Sequence, residues 1–340
     1  MKTYNRNGTE TDISHILSEE DDFAIQIYEK TGRQELFYKN DSLVRDVENE
    51  IVNFYNIFCD MYFTSRNDYY AIQNKFPLYL QYGGFSSDYV ISLDEFKELY
   101  STYEHKNFDL NRYIYLSDCQ YLLSTLQNLI QQIEFCFTQY YIKISNKNLG
   151  NISICEKDGT FYTQSDLVTN IAFLVESFFI KCHSVLDILV KIIYELEYPM
   201  TDFSSMKKLV SKDKIWGDRK KLGIFALQKG VFENCELIKT LETIRNECIH
   251  NGSWEDFPKV FIEIKDNQIV ERYMLFPDLS NGYFCSIKNR KHFFSTRLKV
   301  NDVLIKIHDE FYFRLLATLK DIRKYACSNI LCKKSSEMEM

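Results

Sequence analysis

Chemistry is concentrated in the run Arg245-Asn246-Glu247-Cys248-Ile249-His250, followed by Asn251-Gly252. Nowhere else in the chain is an Arg followed by a His five to seven positions on. An imidazole, with an unperturbed pKa of ~6.5, takes or gives a proton near neutral pH. A guanidinium stays protonated and offers a planar fork of N–H donors to phosphate oxygens. RNA carries its own nucleophile, the 2′-OH, beside the scissile phosphate. A His and an Arg therefore suffice in principle for its cleavage, with the Arg meeting charge that builds on the phosphate oxygens. No carboxylate cluster that would hold a metal is evident, so the expected site has no metal and no cofactor.

Spacing constrains the geometry. Five positions on a regular helix turn through about 140°, so Arg245 and His250 do not share a face, whereas Asn246 and His250 do. Either the long Arg side chain reaches round to the same cleft, or two chains meet about a two-fold axis with both motifs along one groove. A plainer reading is also open. Arg245 is then a surface ion-pair partner of Glu242 or Glu247, and His250 decorates a helix C-terminus, where a positive charge is favoured.

Arg245, Asn246 and His250 match position by position the Arg-x4–6-His pattern, with a polar residue after the Arg, that marks the HEPN superfamily. Over residues 115–330 the chain resembles stand-alone bacterial members of that family. The resemblance implies a helical bundle and a metal-independent endoribonuclease acting as a homodimer. It also implies a toxin–antitoxin or phage-defence setting, with an antitoxin or regulatory protein as partner. His250 would be the general acid/base, Arg245 the phosphate-charge stabiliser, and Asn246 the residue orienting His250 or the substrate. Other members have lost catalysis, so the alternative is an inactive module binding RNA, nucleotide or protein. In one subset a Tyr two positions after the His is modified; here Gly252 stands there, which does not support that regulation.

Secondary candidates have bland counterparts. His183 and Asp187 are four apart on a long helix, a spacing at which a carboxylate can orient an imidazole or simply form a polar seam. The most basic window holds Lys214, Trp216, Arg219, Lys220 and Lys221, which could grip an RNA backbone and stack a base or be a solvated loop. Lys288, Arg290, Lys291, His292 and Arg297 form a second such patch. His308 lies near an apolar helix stripe and reads as structural.

The remainder of the chain bounds these readings. Its 340 residues, 45% hydrophobic, 15% aromatic and with only four prolines, describe a globular, mainly α protein with small β-hairpin insertions. The net charge of −7 argues against a general nucleic-acid coat. Residues 1–150 carry −9 and residues 151–340 carry +2, so RNA contacts would come from local patches in the second half. The ten cysteines are scattered without a CxxC pair, reading as reduced thiols with no zinc site. Met1 to Glu20 lacks the apolar core of a signal peptide, and Ile171 to Leu196 carries too many charges for a membrane span. A cytoplasmic protein with no membrane partner is expected. No Walker loop, dinucleotide-binding glycines or HExxH run is present.

Apolar periodicity places helices at Asp41–Phe63, Asp94–Tyr103, about Ser117–Ile142, Asp166–Leu196 with Asp166 as cap, Phe232–His250, and Asn301 to about Tyr325. Hairpins are expected near 151–163, around Lys157-Asp158-Gly159, and near 258–276, around Lys265-Asp266-Asn267-Gln268. The expected organisation is a helical accessory region of unknown role at 1–114, the HEPN-like unit at 115–330, and a polar tail at 331–340.

Overall fold

The computed structural model describes residues 3–4, 10–11, 25–30, 33–38, 41–103, 107–146, 149, 158–227 and 229–338. The fold is mainly helical. The helices are α1 (Asp41–Tyr62), α2 (Arg66–Gln73), α3 (Leu78–Tyr82), α4 (Leu93–Thr102), α5 (Asn107–Ile144), α6 (Asp166–Glu197), α7 (Glu236–Asn251) and α8 (Val300–Met338). Among the described residues none is long and apolar enough to cross a membrane.

Local chemistry accounts for most of the element ends. Ser92 and Glu95 form a reciprocal capping box at the start of α4. Ser165, rather than Asp166, caps α6: its Oγ accepts the Val168 N–H at 3.4 Å, and Asp166 is the first helical residue. Between α1 and α4, where the sequence reading places no helix, Ser65 caps α2 and Pro77 precedes the five-residue α3. The helix α5 starts about ten residues before the expected Ser117, because buried Leu110, Tyr113 and Ile114 extend its apolar face through tyrosine-rich sequence. The expected start of α7 at Phe232 is displaced to Glu236; Gly230–Phe232 forms a short 3-10 turn instead. The expected polar tail at 331–340 continues as α8 to Met338.

The N-terminal region, expected to be helical, contains four strands: β1 (Thr3–Tyr4), β2 (Glu10–Thr11), β3 (Ile25–Lys30) and β4 (Arg33–Tyr38). They form an antiparallel sheet of order β2-β1-β3-β4, with Ile25 opposite Tyr38 and Lys30 opposite Arg33. Alternation in Ile25-Gln26-Ile27-Tyr28 and the Thr31-Gly32 dipeptide carry this hairpin signal in the sequence. A second sheet has order β5-β6-β7, from β5 (Gly159–Thr163), β6 (Val260–Lys265) and β7 (Gln268–Tyr273). The β6–β7 hairpin turns at Asp266 and Asn267, both with positive φ (51° and 61°), the geometry that favours Asp and Asn in two-residue turns. Of the hairpin expected at 151–163, β5 pairs antiparallel with β6; residues 151–157 lie outside the described residues. β8 (Leu279–Ser280) and β9 (Tyr283–Phe284) form a short hairpin.

The chain divides into two compact units that are discontinuous in sequence. The first comprises residues 1–46, 129–185 and 233–316, and the second residues 47–128, 186–232 and 317–340. The line expected between 114 and 115 falls inside α5. In the first unit Asn301 knots three elements: its carboxamide accepts from Tyr140 Oη (2.7 Å), its carbonyl accepts from Tyr141 Oη (2.6 Å), and its Nδ2 donates to Arg272 O (2.9 Å). In the second, buried Glu195 accepts from Tyr115 Oη at 2.5 Å and from the Ser211 N–H at 2.8 Å. Burial raises its carboxyl against those bonds, and burial with Glu195 nearby lifts Asp118 to about 7.

Candidate functional site at the end of helix α7

Helix α7 buries Leu237, Leu241 and Ile244 and ends at Gly252, whose φ of +91° only glycine adopts freely. His250 therefore lies in the last turn, and it is exposed. It has no hydrogen-bond partner among the described residues. Arg245 Nη1 donates to Asn246 Oδ1 at 2.9 Å. That bond occupies the Asn246 carbonyl, and no hydrogen bond joins Asn246 to His250 among the described residues. The structure thus pairs Arg245 with Asn246 and leaves His250 open on the same helix.

Glu247 is engaged elsewhere. It is only 4% exposed, although it sits between Arg245 and His250 in sequence. Its Oε2 accepts from Lys291 Nζ at 2.6 Å and from Asn251 Nδ2 at 3.1 Å. Its Oε1 lies 3.2 Å from His292 Nε2, which is buried but not aligned for a hydrogen bond. These groups line a cleft of about 440 Å³ that also includes Ser253, Trp254, Glu255, Lys259 and a strongly exposed Phe257 (73%). Trp254 forms part of its wall and makes edge contacts with Phe179 and Phe276. Ser253 Oγ donates to Glu176 on α6 at 2.5 Å, while burial pushes the Glu176 carboxyl above its ordinary range.

The segment that delivers Lys291 and His292 is held at both ends. Asp278 accepts from the backbone N–H and side-chain hydroxyl of both Ser295 and Thr296. Its burial favours the neutral acid, but those four bonds outweigh it and bring the carboxyl down to about 2. At the tip of the β8–β9 hairpin, Gly282 (φ +84°) lies against α7: a Cβ there would meet Lys239 Cβ at 2.5 Å and Glu236 O at 2.8 Å. Phe284 packs edge-on to His292, with ring centroids 5.2 Å apart.

The other expected residues have different situations. His183 is half-buried on α6 in the first unit. Asp187, in the second unit, accepts the Trp216 N–H at 2.7 Å and anchors the start of a 3-10 helix. Trp216, a candidate for base stacking, is 3% exposed and stacks on Phe232 at 5.6 Å. Its ring is part of the core, so stacking a nucleobase there would require unpacking it. Arg219 lies 4.3 Å over that ring and donates to Trp216 O at 2.9 Å. Lys221 pairs with Asp218 at 2.8 Å, Lys214 covers the Tyr194 ring at 5.0 Å, and Lys220 is exposed. The basic window is therefore largely internally committed. Among the described residues no group of three or more His, Cys, Asp or Glu side chains could hold a metal ion.

His308 is buried between Phe137 (4.2 Å) and Tyr312 (4.7 Å). Burial favours neutral imidazole, but Glu134 at 2.8 Å and Asp309 at 3.4 Å outweigh it and raise the group to about 9. No family model, curated protein or solved structure matches the chain.

Glu247, read from the sequence as a candidate surface ion-pair partner of Arg245, is instead buried and bound to Lys291, and a signal for that was present. It falls three positions after Ile244, on the stripe that α7 buries. A carboxylate on a buried stripe needs partners, and the basic patch at Lys291-His292 supplies them from 44 residues away.

Proposed function

We propose that the protein is a metal-independent endoribonuclease of the HEPN type, cleaving RNA by attack of the 2′-OH. The observation that carries this reading is His250: an imidazole in the last turn of α7, exposed and without a hydrogen-bond partner among the described residues. It follows Arg245 by five positions and adjoins Asn251, which lines the cleft. In this reading His250 transfers the proton and Arg245 meets the phosphate charge, with Asn246 holding the guanidinium rather than the imidazole. A second copy of the chain at this surface, which the family resemblance implies, would bring two motifs to one groove. A toxin or phage-defence role, with an antitoxin or regulatory partner, goes with the same reading.

The test is incubation of the purified protein with a labelled RNA of mixed structure in EDTA, beside His250→Ala. Cleavage to 2′,3′-cyclic phosphate and 5′-OH ends is expected of the wild type, and a drop of at least about 100-fold in the variant. Full activity in the variant removes the assignment. A non-catalytic module binding RNA, nucleotide or protein is the second reading. It is favoured by the chain's acidic net charge and by the cleft's excess of one carboxylate, since Glu247 and Glu255 are paired with Lys291 and Lys259 and Asp256 adds a further negative charge. Binding with no cleavage product would support it.

A further inference from the structure

A 2′-OH attack needs two proton transfers, one from the nucleophile and one to the leaving oxygen. The described motif supplies one imidazole. A second is held next to α7 by the cleft. His292 lies 3.2 Å from Glu247 through Nε2, and Lys291 clamps the other oxygen of the same carboxylate at 2.6 Å. Glu247 precedes His250 by three positions, about 60° round the helix and less than one turn along it. Phe284 flanks His292, and the Asp278 clamp fixes the segment that carries it. No described group bonds Nδ1 of His292, so this nitrogen is the one left to meet a substrate in the cleft.

We infer that His292 is the second proton-transfer residue of the site, with the buried Glu247 carboxylate beside its Nε2. This assignment rests on the ribonuclease reading above. His292 takes the proton of the 2′-OH at Nδ1, and the negative charge of the buried Glu247 carboxylate, 3.2 Å from Nε2, stabilises the imidazolium that forms. The O2′–P bond forms as the P–O5′ bond breaks. Protonated His250 gives its proton to O5′, leaving a 2′,3′-cyclic phosphate and a 5′-OH. His292 ends protonated and His250 neutral, and exchange with water restores both.

The experiment follows cleavage of an RNA oligonucleotide in EDTA against pH for wild type, His292→Gln and His250→Gln. It is repeated on the same oligonucleotide with sulfur bridging at the 5′ position of the cleaved bond. The wild-type profile is expected to be bell-shaped. His292→Gln should lose the ascending limb with a drop of about 100-fold, and the sulfur substrate should not restore it, since the missing step is at the 2′-oxygen. His250→Gln should lose the descending limb and recover on the sulfur substrate, whose thiolate departs without a proton. Should His292→Gln fold poorly by circular dichroism, His292→Gly with added imidazole replaces it, and recovery of the ascending limb is expected. If the wild type cleaves and loss of His292 leaves both limbs in place, this inference is overturned while the ribonuclease reading stands. If the wild type does not cleave, the ribonuclease reading itself falls and takes this assignment with it.

Discussion

The buried His308 should make the stability of the first unit depend on pH in a defined direction. Its imidazole is raised from 6.5 to about 9 by Glu134 and Asp309, against the opposing effect of burial. The native state therefore keeps a proton between those values that the unfolded chain has released. Stabilisation from this group is complete below pH 6.5 and declines as pH rises towards 9, because the native state binds more protons than the unfolded one across that window. At about 1.4 kcal/mol for each pH unit, the shift corresponds to about 3 kcal/mol. The chain has only two tryptophans, and Trp254 belongs to the first unit. In a Trp216→Phe background, urea unfolding followed by Trp254 fluorescence thus reports on that unit. Measured from pH 6 to pH 9.5, the stability difference between this protein and its His308→Gln derivative should shrink by about 3 kcal/mol. Taking the difference cancels thiols and tyrosines that titrate in both proteins. A difference that stays constant over the range would refute the argument, since His308 would then have the same proton affinity folded and unfolded.

Two further outcomes follow from the packing. Trp216→Leu should lower the urea midpoint, because the ring is buried on Phe232, with a cost of about 1–3 kcal/mol; RNA affinity by filter binding should not change. Lost affinity at unchanged stability would instead return a base-stacking role to that residue. Gly282→Ala should destabilise by about 1–3 kcal/mol, since its Cβ would press on Lys239 and on the backbone of Glu236. An unchanged thermal midpoint would mean that the β8–β9 hairpin does not bear on α7.

Much of the helical framework was legible because its signals are local. The apolar period of Val47, Ile51, Phe54 and Phe58 marks α1, and that of Ile171, Leu174, Phe178 and Cys182 marks α6. Asn251-Gly252 stops α7, and Asp266-Asn267 turns β6 into β7. Where signals were short or divided the reading fell short. The N-terminal strands β1 and β2 have two residues each, too few to show an alternation. The first turns of α5 are marked by buried tyrosines, which also suit strands and surfaces.

By itself the sequence determined a mainly helical chain, its longest helices, one hairpin turn, and a helix end where Arg245 and His250 are five positions apart. Periodicity, capping and turn chemistry act over a few residues, so these features are written locally. Only the tertiary structure decided which polar side chains face one another. It buried Trp216 on Phe232, used Asp187 as a backbone anchor, and enclosed His308 between two rings. It also brought Lys291 and His292 onto Glu247, which lies 44 residues before Lys291. Such pairings are fixed by the burial of a carboxylate that must find cations, and no spacing along the chain encodes where those cations will come from.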